Sequence, residues 1–113
     1  MGSELLIVSE CCPVGCGIDV VLLRAREATL LFAYCNLCGC TWLTPDAVQP
    51  GRGLYEITPP WIHAPRGVEL PSRGDAIARG FGEAILRTMP ISAWTTTLDS
   101  VNGAIARELS NRR

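Results

Sequence analysis

Apolar runs separated by polar turns organise the first third of the chain. Residues 5–8 are apolar throughout, and residues 18–24 and 28–34 form two longer runs dominated by apolar side chains. Gly17 precedes the second run, and the charged stretch 24–27 leads into the third. Short apolar runs bounded by turn residues are typical of β-strands. The pattern predicts three short strands with half-buried faces, the last two joined in a hairpin with an exposed turn at 24–27.

The middle of the chain lacks a regular apolar period. Residues 46–71 are rich in Pro and Gly, which favour turns and ordered loops over regular elements. One extended piece is expected at 54–57. Pro45 suits the first turn of a helix, so a single helical turn is expected after Thr44. The segment as a whole is predicted to be an ordered loop.

The last third carries two helical patterns. Ser72 and Asp75 have the spacing of a capping box. Ile77, Phe81 and Ile85 then recur every four residues, as on one buried helical face, and Gly80 is expected to end or kink this helix. A second helix is predicted from a single apolar stripe, which consists of Leu98, Val101, Ile105 and Leu109.

These patterns together predict a small α+β domain. Its parts are a three-stranded unit over 1–45, an ordered loop over 46–71, and two or three helices over 72–113. A chain of this length buries about two-thirds of its unfolded surface, which is enough for one modest core.

The six cysteines are the most informative residues for chemistry. Cys12 and Cys16 form one close pair, Cys35 and Cys38 form another, and eighteen residues separate the pairs. Two short pairs at this separation are typical of a four-thiolate metal site, in which a hairpin brings the pairs to opposite sides of a tetrahedron. The predicted ligands are therefore Cys12, Cys16, Cys35 and Cys38. The first pair has three intervening residues where two are usual, so Cys11 is an alternative to Cys12, and Cys40 is an alternative to Cys38.

Zinc is the favoured metal, because it suits a closed tetrahedron of thiolates and leaves no open position. A single iron, as in rubredoxin, is the second interpretation. Disulfide pairing and a dithiol redox centre at Cys35 and Cys38 are further alternatives. His63, the only histidine, is expected to be a surface or hydrogen-bonded residue rather than a ligand.

The motif C-x-x-x-C-G … Y-C-x-x-C-G-C-x-W-x-x-P, over residues 5–45, resembles the zinc-ribbon class. That resemblance implies a ribbon fold and a structural metal, and it leaves the function open. The chain as a whole is similar to small immunity-type or uncharacterised proteins of GC-rich bacteria.

Charge narrows the list of partners only slightly. The formal net charge is −1, and all ten basic residues are arginine. A chain without a broad basic field is not drawn generally to nucleic acid, but Arg24 and Arg26 at the predicted hairpin turn are candidate partner contacts. No signal peptide and no apolar segment of the roughly 20 residues that span a bilayer are predicted. We therefore expect a cytoplasmic protein without a membrane partner.

We predict a non-enzymatic zinc protein that acts by binding another protein, in its most specific form an immunity or antitoxin-type inhibitor. One alternative is a nucleic-acid-binding transcription accessory or regulator that uses the ribbon hairpin. A second alternative is a rubredoxin-like electron-transfer protein. The sequence does not define the oligomeric state.

Overall fold

An antiparallel sheet of six strands forms the centre of the fold, with helices packed on it. The computed structural model describes residues 4–10, 12, 19–26, 30–35, 37, 40–44, 60–94 and 98–111. The described strands are β1 (Glu4–Ser9), β2 (Val20–Ala25), β3 (Leu31–Tyr34), β4 (Thr41–Trp42), β5 (Val68–Glu69) and β6 (Arg87–Pro90). The described α-helices are α1 (Pro60–His63), α2 (Arg73–Ala78) and α3 (Leu98–Asn111).

The strand order is β4-β3-β2-β1-β6, and β5 pairs with β2 beside this path. Arg24 of β2 pairs with Leu31 of β3 and with Glu69 of β5, so β5 lies on the edge of β2 opposite β3. The α+β class is confirmed, but the sheet has six strands where the sequence predicted three. The additional strands include β5, from the expected loop, and β6, from the expected helical part.

The three predicted strands form close to their expected positions. The runs at 5–8, 18–24 and 28–34 correspond to β1, β2 and β3, and β2 and β3 pair as a hairpin. The strand β2 extends to Ala25, so Arg24 lies inside it and the turn begins at Arg26. The extended piece expected at 54–57 and the helical turn expected after Thr44 lie outside the described residues.

Both faces of the sheet are buried, which differs from the half-buried strands predicted. Alternate residues of the strands contribute to two separate clusters, one on each face. We call the first the cysteine core; its buried members are Leu6, Val8, Cys12, Val20, Leu22, Leu31, Ala33, Cys35, Cys40, Trp42, Ala76 and Phe81. We call the second the helical core; its buried members are Leu5, Ile7, Val21, Leu23, Ala25, Phe32, Tyr34, Ala64, Val68, Val101 and Ile105.

The capping box at the start of α2 is confirmed. The amide of Asp75 donates to Ser72 Oγ at 3.0 Å, and the amide of Ser72 donates to the Asp75 carboxylate at 3.0 Å. The helix ends as Gly80 was expected to end it, with Gly80 at φ +84°. The amide of Gly80 donates to the Ile77 carbonyl, and the amide of Phe81 donates to the Ala76 carbonyl. These two hydrogen bonds form a Schellman motif.

This chain reversal explains why one predicted helical face is wrong. Phe81 is buried because it follows the left-handed glycine and folds back onto the cysteine core. Ile77, predicted on the same face, is 63% exposed. The segment after Phe81 continues as a short 3-10 turn and then as β6, so Ile85 does not extend a helix. The four-residue spacing therefore predicted that Phe81 and Ile85 pack against the core. It did not predict that the chain leaves the helical conformation between Ile77 and Ile85.

The stripe predicted for the last helix is confirmed in α3. Val101 and Ile105 are buried in the helical core, and Leu98 and Leu109 pack against it. The side chain of Asn102 joins α3 to β5: it accepts from the Val68 amide at 2.6 Å and donates to the Val68 carbonyl at 3.1 Å. The same helix thus supplies both apolar contacts and a polar anchor to the sheet.

Candidate metal centre

The two connections that carry cysteines leave the same end of the sheet. The strand β1 ends at Ser9 and β2 begins at Val20, and in the same sense β3 ends at Tyr34 and β4 begins at Thr41. These strands are antiparallel to their neighbours, so connections β1–β2 and β3–β4 lie at one end and β2–β3 at the other. Three cysteines belong to each of these connections: Cys11, Cys12 and Cys16 to the first, and Cys35, Cys38 and Cys40 to the second.

Two of the four predicted ligands are described, and both are buried on the same face. Cys12 is 2% exposed and Cys35 is 0% exposed, and both belong to the cysteine core. Cys16, Cys38 and the alternative ligand Cys11 lie outside the described residues. The other alternative, Cys40, is 1% exposed in the same core. Cysteines from both connections thus contribute to one buried core.

The second connection has a closed geometry. The amide of Cys35 donates to the Cys40 carbonyl at 3.1 Å, next to the pair formed by Tyr34 and Thr41. Cys35 and Cys40 are therefore opposite each other where the β3–β4 hairpin begins, and Cys38 lies between them in the sequence. Cys12, Cys35 and Cys40, the described cysteines, form no disulfide bond with one another.

Within the described ranges, no three Cys, His, Asp or Glu side chains are grouped closely enough to hold a metal ion. A four-thiolate centre that includes Cys12 and Cys35 thus draws on cysteines outside those ranges. Cys16 and Cys38, the remaining predicted ligands, belong to the same two connections.

A set of ion pairs that the sequence analysis missed lies at the ends of the first connection. Arg87 Nη2 is 2.6 Å from Asp19 Oδ2, and Arg87 Nε is 3.9 Å from Glu10 Oε1. Glu10 directly follows β1 and Asp19 directly precedes β2. The guanidinium of Arg87 therefore contacts both ends of the β1–β2 connection, which carries Cys11, Cys12 and Cys16. Nothing in the local sequence indicates these pairs, because Asp19 and Arg87 are 68 positions apart.

The arginines that were candidate partner contacts have different surroundings. Arg24 Nη1 is 3.5 Å from the Glu69 carboxylate and 3.6 Å from that of Asp75. The pKa of Asp75 is below its ordinary value chiefly because the Ser72 amide donates to the carboxylate, with the Ser72 hydroxyl and the nearby Arg24 also contributing. Arg26 is exposed, and its amide donates to the Gly67 carbonyl. Arg24 is thus paired with two acids, while Arg26 presents its charge to solvent.

His63 lies on the other side of the sheet from the described cysteines. Its Nε2 atom is 3.0 Å from Thr41 Oγ1, and its ring packs at 5.6 Å from the ring of Phe32 in the helical core. Burial lowers the pKa of His63 below its ordinary value of 6.5. These contacts give His63 a hydrogen-bonded position in α1, and they place it away from the cysteine core.

The lowered pKa of His63 predicts a loss of stability in mild acid. Because the unfolded chain binds the proton more readily, the free energy of unfolding should fall as pH drops below 6.5 toward the lower folded pKa. Urea unfolding of the wild type and of His63→Gln at about pH 8 and about pH 5.5 measures this, since glutamine keeps a polar group without titrating. Equal acid losses in the two proteins would contradict the prediction.

Large apolar side chains are exposed beside the second cysteine connection. Leu37, in the turn between Cys35 and Cys38, is 65% exposed, and Leu43, just after β4, is 47% exposed. Ile62 of α1 is 52% exposed and is the chain neighbour of His63, which contacts Thr41 of β4. The strand β4 is also an end strand of the sheet. We call these three residues the β4 patch.

None of the helices described here is long and apolar enough to cross a membrane. Comparison with known proteins gives no further guide: no protein-family model, no curated protein and no solved structure matches this chain.

Proposed function

We propose that this chain is a non-enzymatic, zinc-stabilised protein that acts by binding another protein. The observation that carries the proposal is that the fold brings both cysteine-bearing connections to one end of the sheet. Both cysteine-bearing connections leave one end of the sheet, and Cys12 and Cys35 are buried in one core. A tetrahedral thiolate site takes its ligands from two such turns, and zinc is the metal that prefers it.

The proposed ligand set is Cys12, Cys16, Cys35 and Cys38. Four protein thiolates fill the coordination sphere of zinc and leave no position for a substrate or an activated water, so the role of the metal is structural. Zinc would fix the turns that carry these cysteines. A rubredoxin-like iron site uses the same four ligands, and its colour distinguishes it directly from colourless zinc.

The β4 patch supports a protein as the partner. Single exposed apolar residues are ordinary on protein surfaces, but Leu37, Leu43 and Ile62 all lie near one end strand of the sheet. Leu37 lies between two proposed ligands, so the metal would hold the turn that presents it. In its most specific form, the function is that of an immunity or antitoxin-type inhibitor that covers the active surface of a partner enzyme.

The contacts of Arg24 give less support to the nucleic-acid alternative. A phosphate would have to compete with the carboxylates of Glu69 and Asp75 for this guanidinium. Arg26 is exposed at the β2–β3 turn, and one cation makes only a small electrostatic contribution to binding a polyanion.

The partner proposal predicts a specific sensitivity to Leu37. A tagged wild-type chain should co-purify with one stoichiometric protein partner from its source cells. Leu37→Glu should lose that partner because it places a charge in the apolar patch, and chelation of zinc should release it. Leu86→Glu is the matched control, since Leu86 is 58% exposed and lies beside β6, at the other end of the strand order.

The opposite result is also well defined. Equal loss of the partner in Leu37→Glu and Leu86→Glu would remove the β4 patch as the binding surface. Salt-sensitive binding to DNA or RNA, lost in the double variant Arg24→Ala and Arg26→Ala, would replace the proposal by the nucleic-acid alternative.

A further inference from the structure

We propose that Arg87 is a positioning residue for the first cysteine connection, and that it raises the affinity of the proposed metal centre without touching the metal. The inference rests on the proposed zinc function. Arg87 begins β6 and pairs with Ile7 of β1. From that position its guanidinium reaches the residue after β1 and the residue before β2.

Arg87 contacts Asp19 and Glu10 at different distances. The bond from Nη2 to Asp19 Oδ2 is 2.6 Å long, and the contact from Nε to Glu10 Oε1 is 3.9 Å. The Asp19 side chain is 29% exposed and that of Glu10 is 63% exposed, so the Asp19 contact is the stronger one. The amide of Leu86 also donates to the Ile7 carbonyl at 2.8 Å, which fixes the backbone from which Arg87 extends.

The strand pairing at this place needs additional support. Between Ile7 and Ser9, β1 advances two residues while β2 advances one, from Val21 to Val20. This is the count of a β-bulge, which locally disrupts the ladder and bends the strand. The bulge lies immediately before the connection that carries Cys11, Cys12 and Cys16. Arg87 contacts both strand ends where backbone pairing is irregular.

The consequence for the metal follows from preorganisation. A connection whose two ends are held together has fewer conformations to lose when its cysteines bind an ion, so its affinity rises. The two contacts of Arg87 act on the first connection alone, because Glu10 and Asp19 both flank that connection. Arg87 should thus influence Cys12 and Cys16 and leave the β3–β4 connection unchanged.

Zinc affinity, measured by competition with a chromophoric chelator, tests the inference on the full chain. Arg87→Met and Asp19→Asn should each weaken zinc binding about two- to fivefold, the range expected for a partly exposed ion pair. The double variant should be no weaker than Arg87→Met alone, because Asp19→Asn removes a contact that Arg87→Met has already removed. Arg73→Met is the control, since Arg73 is an exposed arginine at the start of α2.

Unfolding with and without zinc separates positioning from ordinary stabilisation. A positioning role lowers the urea midpoint of the zinc-bound Arg87→Met chain more than that of the metal-free chain, because ligand binding adds to stability according to its Kd. Equal shifts in both forms, with unchanged zinc affinity, would overturn the inference and leave the proposed function intact. A wild-type chain that binds no metal would overturn both.

Discussion

Cys35→Ser should abolish zinc binding and remove the metal's contribution to stability. Cys35 is fully buried at the end of β3, and a serine hydroxyl does not replace a thiolate in a closed zinc site. With free zinc a thousandfold above its Kd, the wild type gains about 4 kcal/mol of stability from the metal, and the variant should lose this gain. Zinc content by elemental analysis and urea unfolding at fixed free zinc measure the two effects.

Cys40→Ser is the matched control for this variant. Cys40 is 1% exposed in the same core and opposite Cys35 in the hairpin, so serine brings a similar cost of burying a hydroxyl there. We expect Cys40→Ser and Cys11→Ser to keep one zinc per chain, and Cys38→Ser to lose it. Retention of zinc by Cys38→Ser with loss in Cys40→Ser would assign the fourth ligand to Cys40 instead. Retention of zinc by Cys35→Ser would contradict the proposed centre itself.

Asn102→Ala should cost about 2–3 kcal/mol of stability, because it removes two hydrogen bonds and leaves polar backbone atoms of a buried residue unsatisfied. Val68 is 0% exposed, and both its amide and its carbonyl bond to the Asn102 side chain. The loss would separate α3 from β5 and so loosen the helical core. Urea or thermal unfolding under zinc saturation measures it.

Two further variants sharpen the test of Asn102. Asn111→Ala changes an exposed asparagine at the end of the same helix and should cost far less. Asn102→Asp keeps the acceptor for the Val68 amide but cannot donate to its carbonyl when ionised, so it should fall between wild type and alanine. Equal stability of Asn102→Ala and Asn111→Ala would contradict the anchoring role.

The hydrogen bonds between Asn102 and Val68 depend on the glycine that precedes Val68. Gly67 adopts φ +101°, and a Cβ there would lie 2.8 Å from Asn102 Oδ1. Glycine therefore both permits the left-handed turn into β5 and leaves space for the Asn102 amide. The two residues are 35 positions apart and must be compatible with each other.

Local signals in the sequence predicted the local structure well. The capping box at Ser72 and Asp75 and the end of α2 at Gly80 depend on contacts within a few residues. The apolar stripe of α3 depends on one helical period, and the first three strands depend on short apolar runs. Features that a few neighbouring residues determine can be inferred from their spacing.

Long-range pairing was beyond such signals. The strand β5 is two residues long and β6 is four, and each is defined by its partner strand more than by its own composition. For this reason the sequence predicted a separate three-stranded part. In the fold, two strands from later in the chain join that sheet: β6 pairs with β1, and β5 pairs with β2. The burial of both sheet faces follows from the same pairing, because later segments cover them.

The sequence predicted one part of the candidate site, the cysteines, and did not predict the side-chain contacts that come from distant segments. Cysteine spacing predicted a ligand set, and the fold buries Cys12 and Cys35 in one core and brings both of their connections to one end of the sheet. The contacts of Arg87 with Asp19 and Glu10, and that of His63 with Thr41, join residues distant in the chain and have no local motif. Residues that support a site from another strand are found only once the strand order is known.

Metal content per chain, combined with a count of reactive thiols before and after chelation, tests the central claim most directly. The freshly purified protein should contain about one zinc, as expected for a single closed four-thiolate shell. Four of its six cysteines should react only after chelation, when the ligands are released. A protein without metal, with six thiols equally reactive before and after chelation or paired in disulfides, would contradict the account.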